Sequence, residues 1–333
     1  MVGEGDAPIV ELPPGCAREL SKAERPLQTL LLSTHSEEAG APPGLGVLDA
    51  RSAADERRTM LTATYIASVA MRRLRTELAV GDDESAMTTC VDLLALARDL
   101  SWGTGLTGRL AALTVSQVAF EPCAAALDAA PASTKRRAAL TLGRVARGTP
   151  PLAATLADTS VALRAQVFAP YLVEDMPGLP PAVQEWASAG APREDFPGWV
   201  RRIWQWNDLQ EFLDAASAAA ALPPAEAQRR LSTLTAKQRS SRGPLGQLAL
   251  PELGGVAMND DVARRQLLLL RRAALVGALR TETGIWPRAG DLPFGLESNA
   301  EHPFSIEDKG SEAILVDASG PGKELKVRLH ADL

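Results

Sequence analysis

The sequence predicts a mainly α-helical protein built of antiparallel hairpins, as a bundle or a short tetratricopeptide-like array, with a small C-terminal antiparallel β-element. Three observations carry this expectation. Hydrophobic residues make up 46% of the 333 residues but aromatics only 4%, so the apolar mass is mainly alanine and leucine, which head the helix scale. Apolar residues recur three or four apart over long stretches, the period of one helix face. After residue 283 that period gives way to turns and short alternating runs, the signature of strands.

The elements follow in order. Residues 1–49 are rich in proline and glycine (Pro13, Pro14, Pro42, Pro43, Gly44, Gly46) and read as a lead-in arm with one helix near 16–33. Helical texture starts at about Ala50 and runs through Leu61, Tyr65, Ile66 and Val69 to Leu78. It stops at Gly81-Asp82-Asp83-Glu84, where glycine suits a left-handed C-terminal cap and an acidic residue caps the next helix. That helix carries Met87, Cys90, Val91, Leu94 and Ala97 on one face and ends near Leu100. A third helix spans about 105–129 with Pro122 as an expected kink, a fourth 134–147, and Pro150-Pro151 opens a fifth through about Val167.

Six prolines between 170 and 197 mark an excursion. Helices resume at 198–221 and 224–239, a loop covers 242–258, and a final helix runs from the cap Asp260-Asp261 to about Thr283. The division is thus an arm (1–49), a helical domain (50–283) and a β-hairpin tail (284–333). In the tail, Ala313 to Val316 and Leu325 to Leu329 read as strands joined across Gly320-Pro321-Gly322.

Charge and motifs narrow the function classes. With 35 basic against 41 acidic residues the net charge is −6, which leaves no basic excess for a phosphate backbone and disfavours nucleic acid. No run approaches the ~20 apolar residues of a membrane span, and the start MVGEGDAP has neither the basic nor the apolar part of a signal peptide. Cys16 lacks the apolar run of a lipoprotein signal. Cys90 and Cys123 read as small buried apolar residues, with a disulfide between them open if their helices pair.

Gly103-Thr104-Gly105-Leu106-Thr107-Gly108 matches G-x-G-x-x-G, but a helix precedes it where the dinucleotide fingerprint needs a strand. It reads as a turn between helices. Asp82-Asp83-Glu84 and Asp260-Asp261 read as helix caps, and the paired basic residues (Lys135-Arg136-Arg137, Arg229-Arg230, Arg264-Arg265, Arg271-Arg272) as solvated helix faces. An amphipathic membrane-surface role for 260–283 stays open beside a core role.

Motifs for a calcium loop, a zinc protease and a phosphate loop are absent, so no cofactor or metal is expected. Of His35, His302 and His330, His302 is the least unsuited to catalysis. The strongest local anomaly is Trp199-Val-Arg-Arg-Ile-Trp204-Gln-Trp206, which holds three of the six tryptophans. Trp199, Arg202, Trp204 and Trp206 could form a ligand or partner surface by stacking and cation–π contacts, or pack as core.

The run Leu268 to Pro287 with Asp291-Leu292-Pro293 and His302-Pro303-Phe304 resembles the C-terminal part of a family of large uncharacterised, envelope-associated helical proteins of bacteria. The succession G-x-[WY]-P, then D-P-[FW], is also similar to the helix-to-sheet region of type II secretion pseudopilins. Gly284, Trp286, Pro287, Pro303 and Phe304 match, while His302 replaces the usual aspartate. The likeness covers about 60 residues, and the Gly81-Asp82 hairpin looks like the body of the same proteins. It implies the periplasm or cell envelope and no particular reaction. The functional expectation is a non-catalytic helical scaffold with a protein partner. The alternatives are a binding module for a lipid or small apolar ligand in an inter-helix groove near Trp199–Trp206, and an enzyme using carboxylates or His302.

Overall fold

Ala50–Ala79 forms helix α1, which buries Ala67, Ala70, Met71 and Leu74 at three-or-four spacing; of the residues from which the helix is expected, Ile66, Val69 and Leu78 are half-buried and Tyr65 is exposed. Its end is the anticipated turn. Gly81 takes φ 74°, the left-handed conformation glycine adopts without strain, and the Asp82 side chain accepts from the Ser85 amide at 3.2 Å. Asp82 thereby caps α2, Asp83–Leu100. From Ala86 onward α2 is buried nearly all round, so it is the central helix of its group.

Then come α3 (Gly105–Ala129), α4 (Ala132–Gly148), a helical stretch at 152–160, α5 (Phe196–Ala220), α6 (Pro224–Ser240) and α7 (Leu253–Thr283). The computed structural model describes residues 22, 25, 27–34, 50–103, 105–160, 196–240, 250–293, 296, 303–320 and 324–331, with side chains excepted at 50–63 and 196–206. The Pro-rich excursion at 170–197 and the residues Cys16, His35 and His302 therefore lie outside the described residues, save for the start of α5. Of the arm, 27–33 is helical and buries Leu27 and Leu31.

The architecture is mainly α with a small C-terminal antiparallel sheet, the fold class the sequence predicts. Pro122 sits inside α3, which continues past it to Ala129 as one helix. By length and composition α3 is also apolar enough to cross a membrane. Counting consecutive apolar residues misses this, because threonine, serine and glycine interrupt the run without making the helix polar. Here α3 packs against α1, α2 and α7.

The last helix begins earlier than expected. Glu252, not Asp260, caps it, accepting from the amides of Gly254 at 3.0 Å and of Gly255. The Gly254-Gly255 pair that suggests a loop serves close packing: a Cβ on Gly254 would stand 2.7 Å from the Gln228 carbonyl oxygen of α6. At the other end Gly284 closes α7 with φ 75°. Nor is α7 a surface helix, since Leu269, Leu270, Ala273, Ala274 and Val276 are buried.

The tail contains one strand more than the sequence suggests. β1 (Phe304–Asp308), β2 (Glu312–Asp317) and β3 (Leu325–His330) form an antiparallel sheet in the order β1-β2-β3. Phe304, Ala313, Leu315, Val327 and Leu329 face inward and join the main core. β1 escapes the sequence reading because only Phe304 and Ile306 alternate in it before acidic residues intervene. Polar anchors hold the sheet. Arg272 lies over the Phe304 ring at 4.0 Å, and the Trp286 indole donates to the Gly310 carbonyl at 3.1 Å. Asp128 of α3 receives both the His330 amide at 2.7 Å and the His330 ring at 2.6 Å.

Two cores share α3 and α7. The larger joins α1, α2, α4 and the sheet to them. The smaller uses Leu106 and Leu113 of α3, Leu152 and Leu156, α5, α6, and the first turns of α7. In the larger core Cys90 and Cys123, both fully buried, are joined by a disulfide with Cα atoms 5.4 Å apart. The antiparallel pairing of α2 and α3 brings them together. The Cys90→Ala/Cys123→Ala double variant should lose about 2–4 kcal/mol of stability, measured by urea denaturation. Reductant should then lower the wild type but not the variant; equal responses would show that the bond does not form.

Candidate functional site

The α2–α3 connection sets up the site. Gly103 and Gly105 adopt φ 69° and 58°, turning the chain sharply into α3. The first amides of α3 do not await a phosphate: Leu106 N donates to Thr159 Oγ1 at 3.0 Å. A Cβ on Gly105 would come within 2.8 Å of that oxygen, so the glycine is needed for helix contact. The turn reading of the G-x-G-x-x-G sequence thus agrees with the structure.

One turn into α3 stands Arg109, whose side chain is only 2% exposed. Its guanidinium donates from Nη2 to Oδ1 of Asp260 on α7. Arg264, four residues along α7 and on the same face, donates from Nε to the other oxygen of Asp260 at 2.9 Å and from Nη2 to the Pro150 carbonyl at 2.7 Å. Two guanidiniums therefore share one carboxylate. Burial pulls the Arg109 pKa below its ordinary value, Asp260 opposes this, and Arg264 adds to the lowering. Asp260-Asp261 is accordingly no cap, because the helix already has seven residues ahead of it.

These residues border a partly open cavity of about 390 Å³ lined mainly by α2, α3, α4 and α7. Leu94 and Ala97 of α2, Ala112, Leu113 and Phe120 of α3, Val145 of α4, and Leu267, Leu268 and Leu270 of α7 supply an apolar wall. Its polar lining includes Arg98, Arg109, Asp260, Asp261, Arg264, Arg265 and Gln266. Arg265 is held by Asp317 of β2, through Oδ1 at 3.2 Å and the carbonyl at 3.1 Å, with Asp261 at 3.9 Å. Arg98 donates from Nε to Asp99 Oδ1 at 2.6 Å and from Nη2 to the Thr34 carbonyl at 3.1 Å. Burial lifts the Asp99 carboxyl from 3.8 to about 6, against the lowering pull of Arg98.

The expected solvated basic faces need correction. Lys135 and Arg272 are 1% exposed and Arg265 5%, because α4 and α7 press together and the sheet covers α7. Arg229 and Arg230 of α6 are exposed as expected. The tryptophan segment lies in α5, but the side chains of Trp199, Arg202, Trp204 and Trp206 lie outside the described residues; Phe212 of the same helix packs in the smaller core. Among the described residues no group of three or more histidine, cysteine or acidic side chains could hold a metal. Sequence reasoning missed Arg109, although a lone arginine between Leu106 and Leu113 was a signal, since buried arginines are rare unless paired. Comparison with family models, curated proteins and solved structures finds no match for this chain.

Two predictions follow from the charges. Asp260→Ala should cost about 3–5 kcal/mol by stranding a buried guanidinium, while Arg109→Met/Asp260→Leu should recover most of it; additive losses in urea denaturation would contradict the pairing. Because Asp99 binds its proton more tightly folded than unfolded, its contribution to stability falls as pH rises from about 4 through about 6. Asp99→Asn should thus gain on the wild type across that window. A stability difference that is flat from pH 4 to 8 would contradict the assignment.

Proposed function

We propose that the protein is a binding module for a small molecule with an apolar body, held in the cavity among α2, α3, α4 and α7. The observation that carries this is the cavity: at about 390 Å³ it falls in the roughly 300–1,000 Å³ range of small-molecule sites, and like them it is mostly apolar with a few polar groups. The protein-interaction reading has in its support the exposed Leu32, Tyr65, Val80, Leu140 and Ile285, on separate elements, with Leu110 and Val118 exposed together on α3. Single exposed apolar residues are ordinary, so the cavity supports the binding reading more strongly.

The bacterial envelope location implied by the tail resemblance belongs to the same proposal. The Cys90–Cys123 bond supports it, since structural disulfides persist in oxidising compartments. The pairwise packing of the consecutive helices α1, α2 and α3 supports a tetratricopeptide-like stacking as a finer reading.

The test uses N-phenyl-1-naphthylamine, an uncharged apolar fluorophore. The wild type should bind it saturably at one per chain. Ala112→Phe, which places a ring in the cavity from a position 4% exposed, should weaken binding at least tenfold. Ala146→Phe, at a half-buried position on the same lining, repeats the test should the first variant misfold. No saturable signal, or unchanged affinity in a folded filled variant, would overturn the proposal.

A further inference from the structure

We infer that the ligand is a single-chain amphiphile with an anionic head, lying lengthwise with that head at the Arg109–Asp260–Arg264 end of the cavity. This rests on the cavity-binding reading and adds the ligand's chemistry and orientation.

Three helices segregate polarity along the cavity in the same direction. On α3 the lining begins at Arg109 and ends at Phe120, eleven residues on and about 16 Å away by helical rise. On α7 it begins at Asp260 and Arg264 and ends at Leu268 and Leu270. The ion pair between Arg109 and Asp260 puts the two polar ends together. The α2 helix runs the other way, joined to α3 by the Cys90–Cys123 bond, and its order is reversed: Leu94 first, then Arg98 and Ser101. A chain with one polar end matches this distribution, whereas a compact apolar molecule leaves the charged end unmatched.

The sign of the head comes from the pairing. Asp260 is shared by two guanidiniums, so this trio carries one positive charge in excess, and Arg109 in it is almost wholly buried. Arg109 Nε, a buried donor, has no hydrogen-bond partner among the described residues. Of the remaining charges, Arg98 pairs with Asp99, while Arg265 is shared by Asp317 and Asp261, a group with one negative charge in excess. What favours an anion at the trio is therefore its unmet donor, Arg109 Nε, and not the net charge of the lining. An anion at the trio restores one carboxylate or phosphate per guanidinium and gives Arg109 Nε an acceptor, the planar recognition at which arginine excels.

The test compares probes of one chain length at pH 8, below their critical micelle concentrations, by isothermal titration calorimetry: dodecanoate, dodecyl phosphate, dodecanol and dodecyltrimethylammonium. An anion should bind at least tenfold tighter than dodecanol, and the cation more weakly than dodecanol. The tighter anion identifies the head. Arg264→Gln leaves Asp260 to Arg109 alone and should shrink the anion-to-dodecanol ratio at least fivefold, while Arg229→Gln, exposed on α6, should leave the ratio unchanged. Equal binding of anion and dodecanol, tight binding of the cation, or an undiminished ratio in Arg264→Gln would overturn the anionic head while dodecanol binding leaves the cavity reading standing. If none of the four binds, the cavity reading falls and this inference with it.

Discussion

The buried Arg109–Asp260 pair sits where the two cores meet, and it sets how α3 and α7 lie against each other. A buried ion pair adds little net stability over an apolar substitute, but it heavily penalises any packing that parts its members. Sliding α3 by one residue along α7 would strand the Arg109 guanidinium away from water, while Asp260 would keep Arg264. The pair thus fixes an axial register that apolar contacts alone leave soft, because alanine-rich helix surfaces offer similar grooves at successive turns. From that register follow the shared membership of both helices in the two cores, and the shape of the cavity between them.

The sheet repeats the same device at the other end. Arg265 with Asp317, Arg272 with Phe304 and the Leu296 carbonyl, and His330 with Asp128 each fasten a strand or its approach to a helix. A three-stranded sheet of five- and six-residue strands is near the lower limit of independent stability. These anchors, together with the inward Leu315, Val327 and Leu329, make it part of the helical core. The division at residue 283 is a change of secondary structure within one packed interior.

The local rules were legible. Gly81 and Asp82 announced a turn and a cap, the spacing of Met87, Cys90 and Leu94 announced a buried face, and Gly284 announced the end of α7. What stayed hidden depends on partners far away in the chain. Asp260 looks like a cap until Arg109, 151 residues earlier, is seen beside it. Gly254 looks like a loop former until α6 is packed against it. Lys135 and Arg272 look like surface residues because nothing nearby in sequence tells that α4 and α7 will cover them. A single chain reports its own periodicity, but it does not report which two faces meet, so the cavity and its charged end could be found only in three dimensions.

The position of α7 in the chain has a consequence for biosynthesis. Both cores need this helix as a wall, yet it starts only at Leu253. A nascent chain leaving the ribosome can form its hairpins as they emerge, but must hold their apolar faces uncovered for most of the translation time. Such exposed intermediates are prone to aggregation. The cell's demand on this protein is therefore heaviest before synthesis ends, and truncation anywhere ahead of α7 leaves two half-built interiors in place of a smaller folded protein.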